Sequence, residues 1–261
     1  MGQAKSAMSI GVSLAAVAIG FAAMVNYAAA QSAQPEAGAA VIAQGKTLVD
    51  SGGCAGCHTA AGAPAFSGNV LGTWNAPSLL NDPHNGLGTW TADDIAAYLR
   101  TGHNRYADAS GPMAAIITGS TSKLSAADAD AIGAYLKSLP APAAGATAAA
   151  LPATDPAMAA GQHIYTDECA ACHTEAGTGL ANLFPSLVAS PVVAAAQPVT
   201  LVHVLLHGAQ SVGTAQATAA AMPAFGGQMS DQQIADVLTY IRNSWGNAAP
   251  AVTAAQVTAA R

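Results

Sequence analysis

Cys54-Ala55-Gly56-Cys57-His58 decides how this chain is read, because the pattern returns as Cys169-Ala170-Ala171-Cys172-His173 and the two copies use all four cysteines. On a helical turn, residues three and four apart share a face, so each stretch presents two thiols and an imidazole to one side. The spacing C-x-x-C-H is that of c-type haem attachment, in which two thiols bond to the porphyrin edge and the adjoining histidine ligates the iron. Other uses of paired cysteines fit less well. Zinc held by four cysteines does not require a histidine directly after each pair, and a thioredoxin-like site calls for one pair on a βαβ unit that this sequence lacks. Cysteines three apart rarely bridge each other, and no others remain as partners. The expectation is two covalently bound haem c groups, held by Cys54, Cys57 and His58 in one half and by Cys169, Cys172 and His173 in the other.

The 261 residues divide naturally around the two motifs into domains of about 100 residues each, the common size. Aromatic residues make up 5% and charged residues 8%, so a core of protein alone would be filled largely by alanine and weakly stabilised by burial. A buried porphyrin would supply the missing apolar bulk. The net charge of −6 argues against nucleic acid as a partner.

Taken in order, Lys5 and the uncharged run from Ala7 to Val25 lead to Ala28-Ala29-Ala30. Residues 1–30 read as a signal peptide cut after Ala30 or as a retained N-terminal membrane anchor; in either case the rest of the chain is exported to the outer face of the cytoplasmic membrane. A polar lead, Gln31 to Gly38, precedes a helix expected from Ala39 to Val49. Gly45 and Gly161 stand at matching places ahead of the two motifs, where another helix could cross closely. The first domain runs over 39–140. Its helix starts are Thr91-Ala92-Asp93-Asp94 and Ser125-Ala126-Ala127-Asp128, the second closing at Pro140. Residues 141–155 are Pro/Ala-rich and read as a semi-extended linker. The second domain covers 156–247, closed by a helix starting at Ser230-Asp231-Gln232-Gln233, and 248–261 reads as a disordered tail.

Within each half, Ala76-Pro77-Ser78-Leu79 is echoed by Phe184-Pro185-Ser186-Leu187. A ligating histidine normally donates its other ring N–H to a carbonyl, and the carbonyls of Pro77 and Pro185 are the expected acceptors. Histidine fills one axial position, so the chemistry turns on the other. A methionine thioether favours Fe(II) and leaves no open site, which suits electron passage. The candidates are Met113, in Gly111-Pro112-Met113, and Met222, in Met222-Pro223, both read as loop residues beside a proline, with Met229 as runner-up. His84, His103, His163, His203 and His207 are possible substitutes, and His203 and His207 stand at a metal-pair spacing without an evident third ligand.

This order resembles the cytochrome c subunit of membrane-bound bacterial alcohol dehydrogenases and its relatives serving other periplasmic dehydrogenases. The likeness is carried by Asn75-Ala76-Pro77-Ser78-Leu79, Asn85-Gly86-Leu87-Gly88-Thr89-Trp90, Gly111-Pro112-Met113 and Ala134-Tyr135-Leu136-Lys137-Ser138-Leu139-Pro140 in the first half. In the second half it is carried by Leu183-Phe184-Pro185-Ser186-Leu187, Met222-Pro223-Ala224-Phe225-Gly226 and the run Ile234 to Asn247. That family usually has three haem domains, and this chain resembles the middle and last. The resemblance implies an all-α fold of two tandem class I cytochrome c-like domains. It also implies a place among periplasmic proteins, membrane-associated through the N-terminal segment or a partner subunit. Electrons would enter from a dehydrogenase catalytic subunit, pass between the haems and leave to ubiquinone or a terminal oxidase. The competing functions are a dihaem peroxidase, which needs an iron with an open or exchangeable site, a cytochrome subunit of a terminal oxidase complex, and a gas-binding sensor.

Overall fold

In the computed structural model, residues 38–142, 149–214 and 218–261 are described. The leader or anchor expected over 1–30, the polar lead up to residue 37 and the centre of the linker, 143–148, lie outside the described residues. Among the described residues no helix is long and apolar enough to cross a membrane.

The first domain opens with α1 (38–51), two residues longer at its C-terminal end than the sequence suggests, and α2 (Cys54–His58) follows after a turn at Gly52-Gly53. The segment after His58 contains a small hairpin of β1 (Asn69–Leu71) and β2 (Trp74–Ala76), with Asn69 opposite Ala76 and Leu71 opposite Trp74. Next comes α3 (Ala92–Thr101). Thr91 caps it in a reciprocal box with Asp94, and Gly102 ends it in the left-handed region at φ 82°. Then α4 (Gly111–Gly119) begins with Pro112 in its first turn, and α5 (Ala126–Ser138) is capped by Ser125. Val49, Phe66, Leu80, Leu87, Trp90, Ile95, Ile132 and Leu136 form the core.

The second domain repeats the plan. Asp155 caps α6 (Pro156–Glu168), and α7 (Ala170–His173) carries the second motif. After α8 (Pro191–Ala194) and α9 (Val199–His207), a short antiparallel pair joins β3 (Ala209–Gln210) to β4 (Ala221–Met222). Ser230 and Gln233 form a capping box for α10 (Asp231–Asn243). Its core gathers Tyr165, Val202, Leu205, Phe225, Ile234, Val237, Leu238 and Ile241.

In both halves the helix ahead of the motif crosses the closing helix at a glycine. A Cβ on Gly45 would collide with the Ala131 carbonyl of α5, and one on Gly161 with the Asp236 carbonyl of α10. Backbones this close admit only hydrogen at the crossing. That contact holds the front of each motif against its closing helix.

The tail departs from expectation. Residues 248–261 fold back as α11 (Ala254–Thr258), with Val257 at 0% exposure and Val252 beside it in the second core. Thr253 and Gln256 make a capping box, and the Arg261 guanidinium donates to Asp231, to the Gly226 carbonyl (2.7 Å) and to the Met229 carbonyl (3.1 Å). The low-complexity composition hid two valines spaced to reach one apolar groove.

Candidate haem sites

In the second domain the loop after α7 is shaped around His173. Its backbone carbonyl accepts from Gly179 N–H (3.0 Å), and Leu187 N–H reaches the Gly177 carbonyl (2.8 Å). Gly179 has φ 62° and packs on the carbonyls of Phe184 and Pro185, so no side chain fits there. The turn brings the Pro185 carbonyl oxygen to 3.0 Å from His173 Nδ1. With Nδ1 as donor, Nε2 carries a lone pair. Beyond it lies a cavity of about 260 Å³ that brings together Cys169, Cys172, His173, Pro185 and Met222, closed by apolar groups including Phe225 and Leu238. Met222 is in β4 opposite Ala209, not in a loop, and Phe225 N–H donates to the Leu205 carbonyl (2.8 Å), fixing the methionine segment to α9.

The first domain uses the same device. Gly68 N–H donates to the His58 carbonyl (2.9 Å), Leu79 N–H to the Phe66 carbonyl (2.9 Å), and the Pro77 carbonyl oxygen comes to 2.7 Å from His58 Nδ1. Cys54 packs on the cluster that holds Phe66 and Trp90. Met113 is in the first turn of α4, half-buried against Ala109, Ile117 and Val212. Chain order alone suggests Met113 as the partner of His58. Met229, the runner-up in the second domain, is a buried core residue. His84 and His163 are exposed, His103 is buried elsewhere, and the His203 and His207 rings meet at 4.8 Å, tilted by 52°. Among the described residues no group of three or more His, Cys, Asp or Glu could hold a metal ion.

Burial pushes the His58 and His173 imidazoles below their ordinary pKa, opposed by the bond each makes to its proline carbonyl. Both rings are therefore neutral at neutral pH, the form in which imidazole ligates a metal. Burial raises the Cys54 thiol and pushes Cys169 up to about 11. All four cysteines are free thiols in this structure, and Cys57 and Cys172 are exposed.

These residues fit a haem c. In the second domain the apolar cavity, the oriented imidazole and two thiols three residues apart meet in one place. In the first, Trp90 Nε1 and Arg100 Nε are buried without a hydrogen-bond partner among the described residues, donors that propionates could satisfy. Sequence reasoning missed those two donors. It also missed the contribution of Tyr106, Ala107 and Asp108 of the first domain to the second cavity. Only the three-dimensional docking of the halves places them there.

Two family models match the chain: "Cytochrome c" over residues 42–140 and "Cytochrome C oxidase, cbb3-type, subunit III" over 156–241. The chain is a c-type cytochrome built of two cytochrome c domains in tandem. Its relatives include the cytochrome c subunit of a quinone alcohol dehydrogenase of Gluconacetobacter polyoxogenes, 41% identical over 84% of this chain and 52% of the relative. The gluconate 2-dehydrogenase cytochrome c subunit of Pantoea cypripedii is 38% identical over 85% of this chain and 56% of its own length. A fructose dehydrogenase cytochrome subunit of Gluconobacter japonicus is 32% identical over 81% and 50%. The chain spans about half the length of these curated relatives.

Proposed function

We propose that this chain is a dihaem electron relay: one haem c joined to Cys54 and Cys57 with His58 as axial ligand, and a second joined to Cys169 and Cys172 with His173. Met222 is the sixth ligand in the second domain and Met113 in the first. A haem held by these residues would supply one-electron exchange at its iron. The carbonyls of Pro77 and Pro185 hold the two imidazoles in the tautomer that ligates. The apolar walls keep water from the iron and favour the less charged centre. The single observation that carries this reading is the cavity in which Met222 and the oriented His173 meet above a pair of free thiols.

The reading places the chain in the periplasm, on the outer face of the cytoplasmic membrane, attached through its N-terminal segment or through a partner. Its electron donor is the catalytic subunit of a periplasmic dehydrogenase, of the alcohol or sugar-acid kind named for the relatives, and the acceptor is ubiquinone or a terminal oxidase. Support for the donor comes from the relatives, which serve several different dehydrogenases. A second reading, a cytochrome subunit of a terminal oxidase complex, is favoured by the match of residues 156–241 to the cbb3-type subunit III model. Expression with a haem c maturation system, followed by iron analysis and isolation of the native complex, tests both. Two irons per chain with a co-purifying dehydrogenase is the expected result. Fewer than two irons would overturn the relay, and a co-purifying oxidase would select the second reading.

A further inference from the structure

The two domains are locked by a buried pair. His103, at the end of α3, has acceptors at both ring nitrogens: Asp108 Oδ1 lies 2.9 Å from Nδ1 and the Val212 carbonyl of the second domain 2.6 Å from Nε2. The ring thus bridges the two domains through both of its nitrogens. The side chains of His103 and Asp108 are 1% and 4% exposed. Val212 N–H returns a bond to the Ala109 carbonyl (3.0 Å), and Gly102 gives Val212 the room a side chain would fill. The second oxygen of Asp108, Oδ2, is buried with no partner among the described residues, and Asp108 lines the cavity of His173 and Met222. Satisfied structural carboxylates do not leave an oxygen orphaned in an apolar wall.

We infer that the first domain supplies Asp108 to the second haem site as a positioning and potential-setting residue: its carboxylate, held by His103, stabilises the ferric state of the second iron. A negative charge in a water-poor wall acts on a one-electron centre through little screening, and this one is brought by the other half of the chain. Other charged or titratable groups around it do not duplicate the role. Tyr98 of α3 is pushed far above its usual pKa by burial, and Glu168, on α6, lines the cavity but is exposed to solvent. His103 faces Asp108 from the side of the seam. Burial holds the Asp108 carboxyl above its ordinary range, and the bond to His103 offsets that only in part.

The inference rests on the dihaem reading, and its test separates the two. Asp108→Asn keeps the shape and the bond to His103 but removes the charge. In the haem-loaded protein, a spectroelectrochemical titration should then show the second haem shifted to higher potential by about tenfold in the reduced-to-oxidised ratio, ~59 mV for one electron. The first haem, two irons per chain and the methionine-to-iron band should be unchanged. Asp108→Glu should restore the lower potential. A second-haem potential that stays put in Asp108→Asn, with two irons still bound, would overturn the role of Asp108 alone. Loss of an iron in the unsubstituted chain would instead overturn the relay. If Asp108→Asn fails to load haem, His103→Gln, which keeps the carboxylate and replaces the imidazole beside it, provides the second variant: its second-haem potential should fall or hold, and a rise would refute the inference.

Discussion

Nδ1 of His173 lies 3.0 Å from the Pro185 carbonyl oxygen, and the corresponding distance from His58 to Pro77 is 2.7 Å. Two loops of different length and sequence converge on one bond. The shared requirement is chemical: a ring donating from Nδ1 can present only Nε2 to a metal. Because burial lowers the pKa of both rings, they should stay neutral to a lower pH than an ordinary histidine in the folded chain.

Replacing Met222 by alanine should open the second iron to exogenous ligands without loss of covalent haem. Carbon monoxide should bind the reduced variant at neutral pH, and the near-infrared methionine-to-iron band should lose about half its intensity. A band at full intensity would exclude Met222 as a ligand.

At the helix crossings the expected cost is steric. Gly161→Ala forces a methyl group into the Asp236 carbonyl and the Tyr240 side chain, and should destabilise the haem-loaded protein by about 1–3 kcal/mol or more. Gly45→Ala should do the same against Ala131 and Tyr135. The control is Gly56, where a Cβ meets nothing within 4 Å. Denaturant melts of the three variants would rank them, and equal midpoints would contradict the crossings.

Arg242 is a test of buried charge. Its guanidinium is fully buried and donates to the carbonyls of Val193 (3.1 Å), Ala195 (2.8 Å) and Pro250 (3.0 Å), and burial lowers it to about 10. Arg242→Met strands three carbonyls tied to α8 and the tail, and should cost at least about 2 kcal/mol. Chemical denaturation measures it. Arg242→Lys can reach fewer of the three and should fall between.

The cap of α3 gives a pH dependence with a defined sign. Burial opposes ionisation of Asp94, but hydrogen bonds from Thr91 and the Arg105 guanidinium outweigh it and hold the carboxyl below its usual value. A carboxyl lowered in the folded state adds stability that is complete above its unfolded pKa of about 3.9 and is lost as pH falls through the lower folded value. Acid unfolding of Asp94→Asn should therefore show a shallower slope below about pH 4. Thr91→Ala, which breaks the same box, should cost about 0.5–2 kcal/mol at neutral pH.

The tail supplies the last prediction. Deleting residues 252–261 removes Val252 and Val257 from the second core, together with the Arg261 bonds to Asp231, Gly226 and Met229. The truncated protein should melt at lower temperature and expose the apolar face of α10 to hydrophobic dyes. An unchanged melt would restore the disordered tail that composition suggests.

Much of the architecture was legible because its signals are local. Thr91, Ser125 and Ser230 announce their helices as caps within four residues, and Gly45 and Gly161 mark crossings by what cannot stand there. The histidine-to-proline bonds were legible because each motif repeats the same order. What the sequence concealed is non-local. The closing of Val257 onto α10 and the reach of Asp108 into the other domain join residues with no common pattern between them. Met113 and Met222, read alike as loop residues, take different settings, a helix turn and a strand, because each is fixed by the element beside it.

The hairpin of the first domain is more than a cover for its own motif. Asn75 N–H donates to Thr200 Oγ1 (2.6 Å) on α9, Trp74 meets the His203 ring at 4.9 Å, and Pro77, two residues on, anchors His58. One short ribbon thus borders both metal-binding neighbourhoods. The halves are accordingly unequal as building blocks: a chain severed in the linker would release a back half with an open flank, and any attempt to graft that half onto a new scaffold would have to rebuild the missing side.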